Sequence, residues 1–198
     1  MCIIEKLTPK WGEGNQLNNC WAQKRLDFIS KDARLNILFN PIFEKEKYWN
    51  FFKSVNCTKL LHFYSSYNGC KLFSNSLCIY GIQEHSSDLY QIYDLEWENM
   101  RLNAMMHKLN YIYFGSLGGQ YVFALKKNSD DETVYCFNAD NGFLVKKIEN
   151  FDVLFSTLFN NLYDEYDAEG IKIHRNRKYK NIKSLYNTTI EKDFLEEK

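Results

Sequence analysis

The side chains best suited to acid–base or metal chemistry are four histidines, His62, His85, His107 and His174. No two stand three or four residues apart, so no helix face presents a pair to a metal ion, and none is spaced with a cysteine as in a zinc site. No metal and no cofactor are expected. Six cysteines follow, Cys2, Cys20, Cys57, Cys70, Cys78 and Cys136, none in a C-x-x-C pair. Cys57 precedes a helical stretch, where a thiolate is stabilised, but no His or Asn motif accompanies it, so a nucleophile is not expected. Gly115-Ser116-Leu117-Gly118-Gly119 has the glycine content of a phosphate loop. It lacks the following Lys and Ser/Thr, and it lies between strand-like runs rather than before a helix. It reads as a hairpin link. Catalytic residues: none are expected, nor a small-molecule substrate.

The carboxylates are more informative. Between Glu84 and Glu98 stand Glu84, Asp88, Asp94, Glu96 and Glu98 with no Lys or Arg among them, and between Glu149 and Glu169 the densest group is Asp164, Glu165 and Asp167. Tyr90, Tyr93, Trp97, Tyr163 and Tyr166 are interspersed. One reading is a solvated face that keeps the protein soluble. The other is an acidic, aromatic-bearing surface suited to a basic partner, since charge steers association and Tyr and Trp are frequent hot-spot residues. On the second reading the partner-binding set is Glu84, Asp88, Tyr93, Asp94, Glu96, Trp97, Glu98, Asp164, Glu165 and Asp167. Reversing Asp94, Glu96 and Glu98 to Lys is then expected to weaken binding by several kcal/mol and to leave folding intact, these positions reading as exposed.

The elements that must position these residues follow from periodicity. Residues 22–38 have apolar positions at helical spacing, although the end, LNILFNP, also suits an extended strand. Pro41 opens a helix with Ile42, Phe43, Trp49, Phe52 and Val55 as its apolar positions. A second helix runs from Thr58 to about Tyr67, capped by Thr58 or Asn56 and stopped at Asn68-Gly69. The period then changes to two: CKLFSNSLCIYG is one or two short strands broken at Ser74-Asn75. Residues 84–107 are one helix or two short ones. A meander of four strands follows (LNYIYFGS, QYVFALKK, ETVYCFN, GFLVKKI), with turn residues between the runs and a hairpin turn at Asp140-Asn141-Gly142. FDVLFSTLFNNLYDEYD is an amphipathic helix with Val153, Leu154, Leu158 and Leu162 on one stripe. Beyond Gly170 the chain is basic and aperiodic, with Arg175, Arg177, Lys178, Lys180 and Lys183, and a short helix is expected at 189–197. This predicts an α+β fold: N-terminal helices, a mostly antiparallel sheet of about five or six strands, and a C-terminal helix packed on it. Residues 1–170 make a single domain and 171–198 a basic C-terminal extension.

A chain of 198 residues with 45% hydrophobic and 25% charged residues is an ordinary globular domain with a substantial core. Its aromatic content, 17%, is high enough that some rings are expected on a binding surface. Lys+Arg and Asp+Glu both total 25, and a net charge of zero argues against direct nucleic-acid binding, which needs a basic excess. No apolar stretch approaches the ~20 residues of a membrane span. No secretory leader opens the sequence, so its scattered cysteines are expected as reduced, buried thiols in a cytoplasmic protein.

The order of motifs carries a resemblance. A helix ends at Asn68-Gly69, a short strand pair reaches Tyr80-Gly81, and after a polar insert Ile112-Tyr113-Phe114-Gly115 leads through Gly118-Gly119 to Tyr121-Val122-Phe123-Ala124-Leu125. A strand with Val134-Tyr135 and a helix opened by Phe151 complete it. Over roughly residues 40–165 this resembles the SUKH superfamily, the Smi/Knr-type proteins. Two positions depart from the pattern: Cys70 replaces a second glycine after "NG", and Phe114-Gly115 replaces "IG". The resemblance implies Gly69, Gly81, Gly115 and Gly119 as turn or close-approach glycines, alongside Gly142 of the hairpin turn, and Tyr80, Phe123 and Tyr135 as sheet positions. It implies no catalytic set. Bacterial members resemble immunity proteins encoded beside a polymorphic toxin, often a nuclease, which they neutralise by direct binding. Eukaryotic members resemble adaptors. The expected function is therefore a bacterial immunity protein that occludes a cognate toxin domain. The alternative is a non-catalytic adaptor binding a cellular protein through the same surface.

Overall fold

The computed structural model describes residues 37–38, 46–83, 93–167 and 171–173. Residues 22–36 of the helical stretch expected over 22–38, most of the basic extension, and Glu84 and Asp88 lie outside them. Eleven elements occur among the described residues: β1 (Ile37–Leu38), α1 (Glu46–Phe52), α2 (Thr58–Ser66), β2 (Cys70–Leu72), β3 (Leu77–Ile79), α3 (Leu95–Met106), β4 (Tyr111–Leu117), β5 (Tyr121–Lys126), β6 (Val134–Asn138), β7 (Leu144–Ile148) and α4 (Phe151–Glu165). The strands form one antiparallel sheet in sequence order. It holds seven strands rather than five or six, because Ile37–Leu38 pairs with Cys70–Lys71, taking the extended alternative for that segment.

The alternation of side chains across the pleat decides the layers. Phe123 registers with Cys136, so Phe137, one residue on, faces the opposite side of the sheet. On the Phe123 side, Phe114 lies 6.3 Å from Phe123 and 6.0 Å from Phe151 of α4, while Phe63 of α2 lies 5.4 Å from Phe151 and 5.7 Å from Phe155. On the other side, Lys108, just beyond α3, sits 5.2 Å from the Phe137 ring centre. The domain is thus α2 and α4 on one face, the sheet in the middle, and α3 on the other face.

Rings fill the core as their number predicts. Tyr48, Phe52, Phe63, Tyr64, Phe73, Tyr80, Tyr113, Phe114, Phe123, Phe137 and Phe155 are all essentially inaccessible to solvent. Two expected inward positions turn outward. Trp49 is 46% exposed, its place in α1 taken by Tyr48, whose ring stacks on Tyr64 at 4.0 Å. Val153 is 38% exposed, and Phe155 and Phe159 complete the buried stripe of α4 with Leu154, Leu158 and Leu162.

The cap of α2 also differs from expectation. Cys57 is the N-cap residue and its side chain makes no capping bond; Glu132, from the loop before β6, accepts the Lys59 N–H at 3.2 Å instead. A carboxylate reaching in from another element does what Thr58 or Asn56 was expected to do, and it also favours the positive end of the helix dipole.

Three of the motif glycines, Gly69, Gly81 and Gly115, meet at one place. Gly69 takes φ +81°, and a Cβ there would stand 2.5 Å from the Ile79 carbonyl and 3.0 Å from the Tyr80 carbonyl carbon. A Cβ at Gly115 would stand 2.6 Å from the Cys78 carbonyl. Asn68 supports the same node: its side chain accepts from the Ile82 N–H and donates to the Ile82 carbonyl, both at 2.8 Å, and the Tyr48 hydroxyl donates to it. The "NG", "YG" and "FG" pairs are therefore three segments packed backbone to backbone around residues 78–82. Gly81 bridges to Asp94, and Gly119 and Gly142 occupy turns with φ +71° and +70°.

Candidate functional site

α3 carries the densest part of the partner-binding set. Asp94 caps it: Oδ1 accepts the Trp97 N–H and Oδ2 accepts the Gln83 N–H, both at 2.9 Å. Residues 84–107 thus contain one helix of twelve residues, Leu95–Met106, ending where His107 takes φ 54°.

The polarity of this helix is turned over. Its sheet-facing side includes Leu95, Leu102 and Met106, but also Glu98 and Asn99, which are 5% and 8% exposed. Glu98 is neutralised: Oε2 accepts from Arg101 Nη2 at 2.6 Å and Nε at 3.0 Å. Asn99 pairs with the backbone of Tyr113 as a strand would. Its Nδ2 donates to the Tyr113 carbonyl at 2.7 Å, and its Oδ1 accepts the Tyr113 N–H at 2.8 Å. These bonds fall where β4 bulges between Tyr113 and Gly115, beyond the end of β3. A side-chain amide completes a sheet edge there that no strand reaches. Asn99→Ala is expected to cost about 2–4 kcal/mol, leaving two buried backbone groups unpaired, read as a lower midpoint in urea.

The solvent-facing side is apolar. Trp97, Met100 and Met105 are 58%, 68% and 52% exposed, and Leu109 in the following turn is 69% exposed. Arg101 is held along this surface. Its Nη1 lies 3.3 Å from the Met105 sulfur and its guanidinium carbon 5.9 Å from the Trp97 ring centre, so Trp97, Arg101 and Met105 form one ridge at i, i+4, i+8. Met100, Arg101, Met105 and Leu109 were absent from the sequence-derived set. Their spacing was visible, but a helix with apolar residues on both sides does not reveal which side faces the sheet.

The carboxylates do not form one surface. Tyr93 and Glu96 are exposed as expected, while Asp94 is a cap and Glu98 is buried in an ion pair; both are corrected from exposed to structural. The second group sits on the opposite face of the sheet, at the end of α4. Glu165 pairs with Lys172 at 3.5 Å, and Asp167 Oδ1 accepts the Ile171 N–H at 2.8 Å. Tyr166 is not a surface ring: it is 6% exposed and its hydroxyl is 2.5 Å from that of Ser76. Of Asp164 only its place in α4 is described.

The thiols are placed for packing. Cys57, Cys70, Cys78 and Cys136 are buried and unpaired. Burial, aided by Glu132, pushes the Cys57 thiol up to about 12, so it is not a thiolate at neutral pH despite its place at a helix start. Burial raises Cys78 and Cys136 to about 12 as well. Among the described residues no group of three His, Cys, Asp or Glu could hold a metal ion, and no helix is long and apolar enough to cross a membrane.

Helices on both faces of an antiparallel meander, with glycine pairs meeting at the β3 end, define an α+β domain of one recognisable pattern. The model of the SMI1 / KNR4 family (SUKH-1) matches residues 58–157 of the 198, and the chain belongs to that family. The match runs from the first residue of α2 into α4, so it contains β2 to β7 and α3. No curated protein and no solved structure matches the chain.

Proposed function

We propose that this protein is an immunity protein that binds a cognate bacterial toxin domain, with a nuclease as the expected class, and neutralises it by stoichiometric occlusion in the cytoplasm. The reading rests on membership of a family that includes toxin immunity proteins. The observation that carries it to a place on this molecule is the outward side of α3, where an exposed tryptophan and two methionines stand beside a guanidinium fixed in position. Trp97 and the fixed Arg101 lose little rotamer freedom on binding, while the methionines adapt to a partner's contour at a larger entropic cost. Tyr93 and Glu96 stand at its N-terminal end, and Glu84 and Asp88 precede it in sequence. The mode of action needs no turnover, cofactor, membrane or nucleic-acid contact.

The test is co-expression with the C-terminal domain encoded by the reading frame immediately upstream. Survival restored by this protein, with a stable one-to-one complex, supports the immunity reading, and Trp97→Ala is then expected to weaken the complex by roughly 2 kcal/mol or more. An upstream product that is harmless, or that kills regardless, overturns it in favour of the adaptor reading.

A further inference from the structure

We propose that the outward side of α3 is a two-fold self-association surface, on which α3 of one copy packs antiparallel against α3 of a second copy. Exposed apolar side chains run the length of this side, from Trp97 through Met100 and Met105 to Leu109. Patches of this kind on a soluble chain usually mark contacts. Nothing among the described residues lies over it.

The arrangement of residues along the helix selects a second copy as the occupant. The centre line of the exposed side holds a bulky residue near its start, Trp97, and a small one near its end, Ala104. Reversing a second α3 about a point midway between Arg101 and Leu102 sets each tryptophan over the region of the partner's alanine, where helices approach closely without overlap. One flank of the same side carries Glu96, Met100 and His107, all exposed. Glu96 and His107 are equally far from that midpoint. In an antiparallel pair the same flank meets itself, so the carboxylate of each copy faces the imidazole of the other, and the two helix dipoles oppose favourably. Arg101 does not obstruct this packing, because Glu98 of its own chain already neutralises it. The chain has no net charge, so no long-range repulsion opposes association. One helix with its neighbouring turn offers a small interface, so a weak, concentration-dependent dimer is expected.

This inference stands apart from the toxin reading, since it is measured on this chain alone; a toxin domain covering Trp97 must displace the second copy. The experiment is sedimentation of the full chain from low micromolar to near-millimolar concentration. The expected result is a mass rising from 23.6 kDa toward twice that value. Ala104→Arg, a good helix former at an exposed site, is expected to keep the fold and raise the dissociation constant roughly a hundredfold through crowding and added charge. Glu96→Arg alone should weaken the dimer, and Glu96→Arg with His107→Asp should restore it by setting opposite charges across the same pair of positions. A constant monomer mass overturns the proposal. So does a dimer indifferent to Ala104→Arg, or a double variant no better than the single one.

Discussion

Reversing Glu98 to Lys is expected to destabilise the domain by roughly 3–5 kcal/mol, whereas the same change at Glu96, two residues away, is expected to stay within about 0.5 kcal/mol. The difference is burial. Glu96 is exposed, but the Glu98 side chain is 6% exposed and its Oε2 receives both bonds from Arg101. A lysine at 98 would place an ammonium against the guanidinium with no carboxylate between them, which is the uncompensated buried charge that folded proteins do not tolerate. Asp94→Lys adds the loss of two bonds at the start of α3, those from Trp97 and Gln83, and a cation at the positive end of the helix dipole. The triple reversal of Asp94, Glu96 and Glu98 is therefore a folding variant, contrary to its expected use as a binding probe. Thermal unfolding of the three single variants decides this: equal midpoints for Glu96→Lys and Glu98→Lys would refute the burial argument.

The second large effect is at Gly69. Gly69→Ala is expected to cost roughly 3 kcal/mol or more, against about 1–2 kcal/mol for Gly119→Ala. Both positions have positive φ, +81° and +71°, so both substitutions carry the left-handed penalty. Only Gly69 is also crowded, with the Ile79 carbonyl 2.5 Å from the site of a Cβ, while nothing lies within 4 Å at Gly119. Relieving that overlap means separating the α2–β2 corner from the β3 end, and with it the Asn68 bonds to Ile82. Chemical denaturation of the two variants measures the difference directly. Equal losses would show that conformation alone, and not the close approach, requires glycine at 69.

The two cases mark where sequence reasoning reached and where it stopped. Local periodicity located α2, α4 and the meander β4–β7, because a run of alternating Tyr, Val and Phe between turn residues has few other conformations available. The order of glycine pairs located the family, because close approach of backbones leaves no room for a Cβ whatever the surrounding sequence. Composition foretold a ring-filled core, and among the described residues Trp49, Tyr93, Trp97 and Phe143 are rings left exposed.

What the tertiary structure alone decided is which side of each element faces inward. α3 has apolar residues all round, so its own sequence does not say that Glu98 and Asn99 point to the sheet while Trp97, Met100 and Met105 point away. That choice is made by partners distant in the chain: the unpaired edge of β4 at Tyr113 gives Asn99 its bonds, and Arg101 lets Glu98 be buried. The same holds for the carboxylates. Charge is counted along the sequence, but its availability to a partner depends on bonds made in space, and these bonds turned Asp94 and Glu98 from recognition groups into supports of the fold.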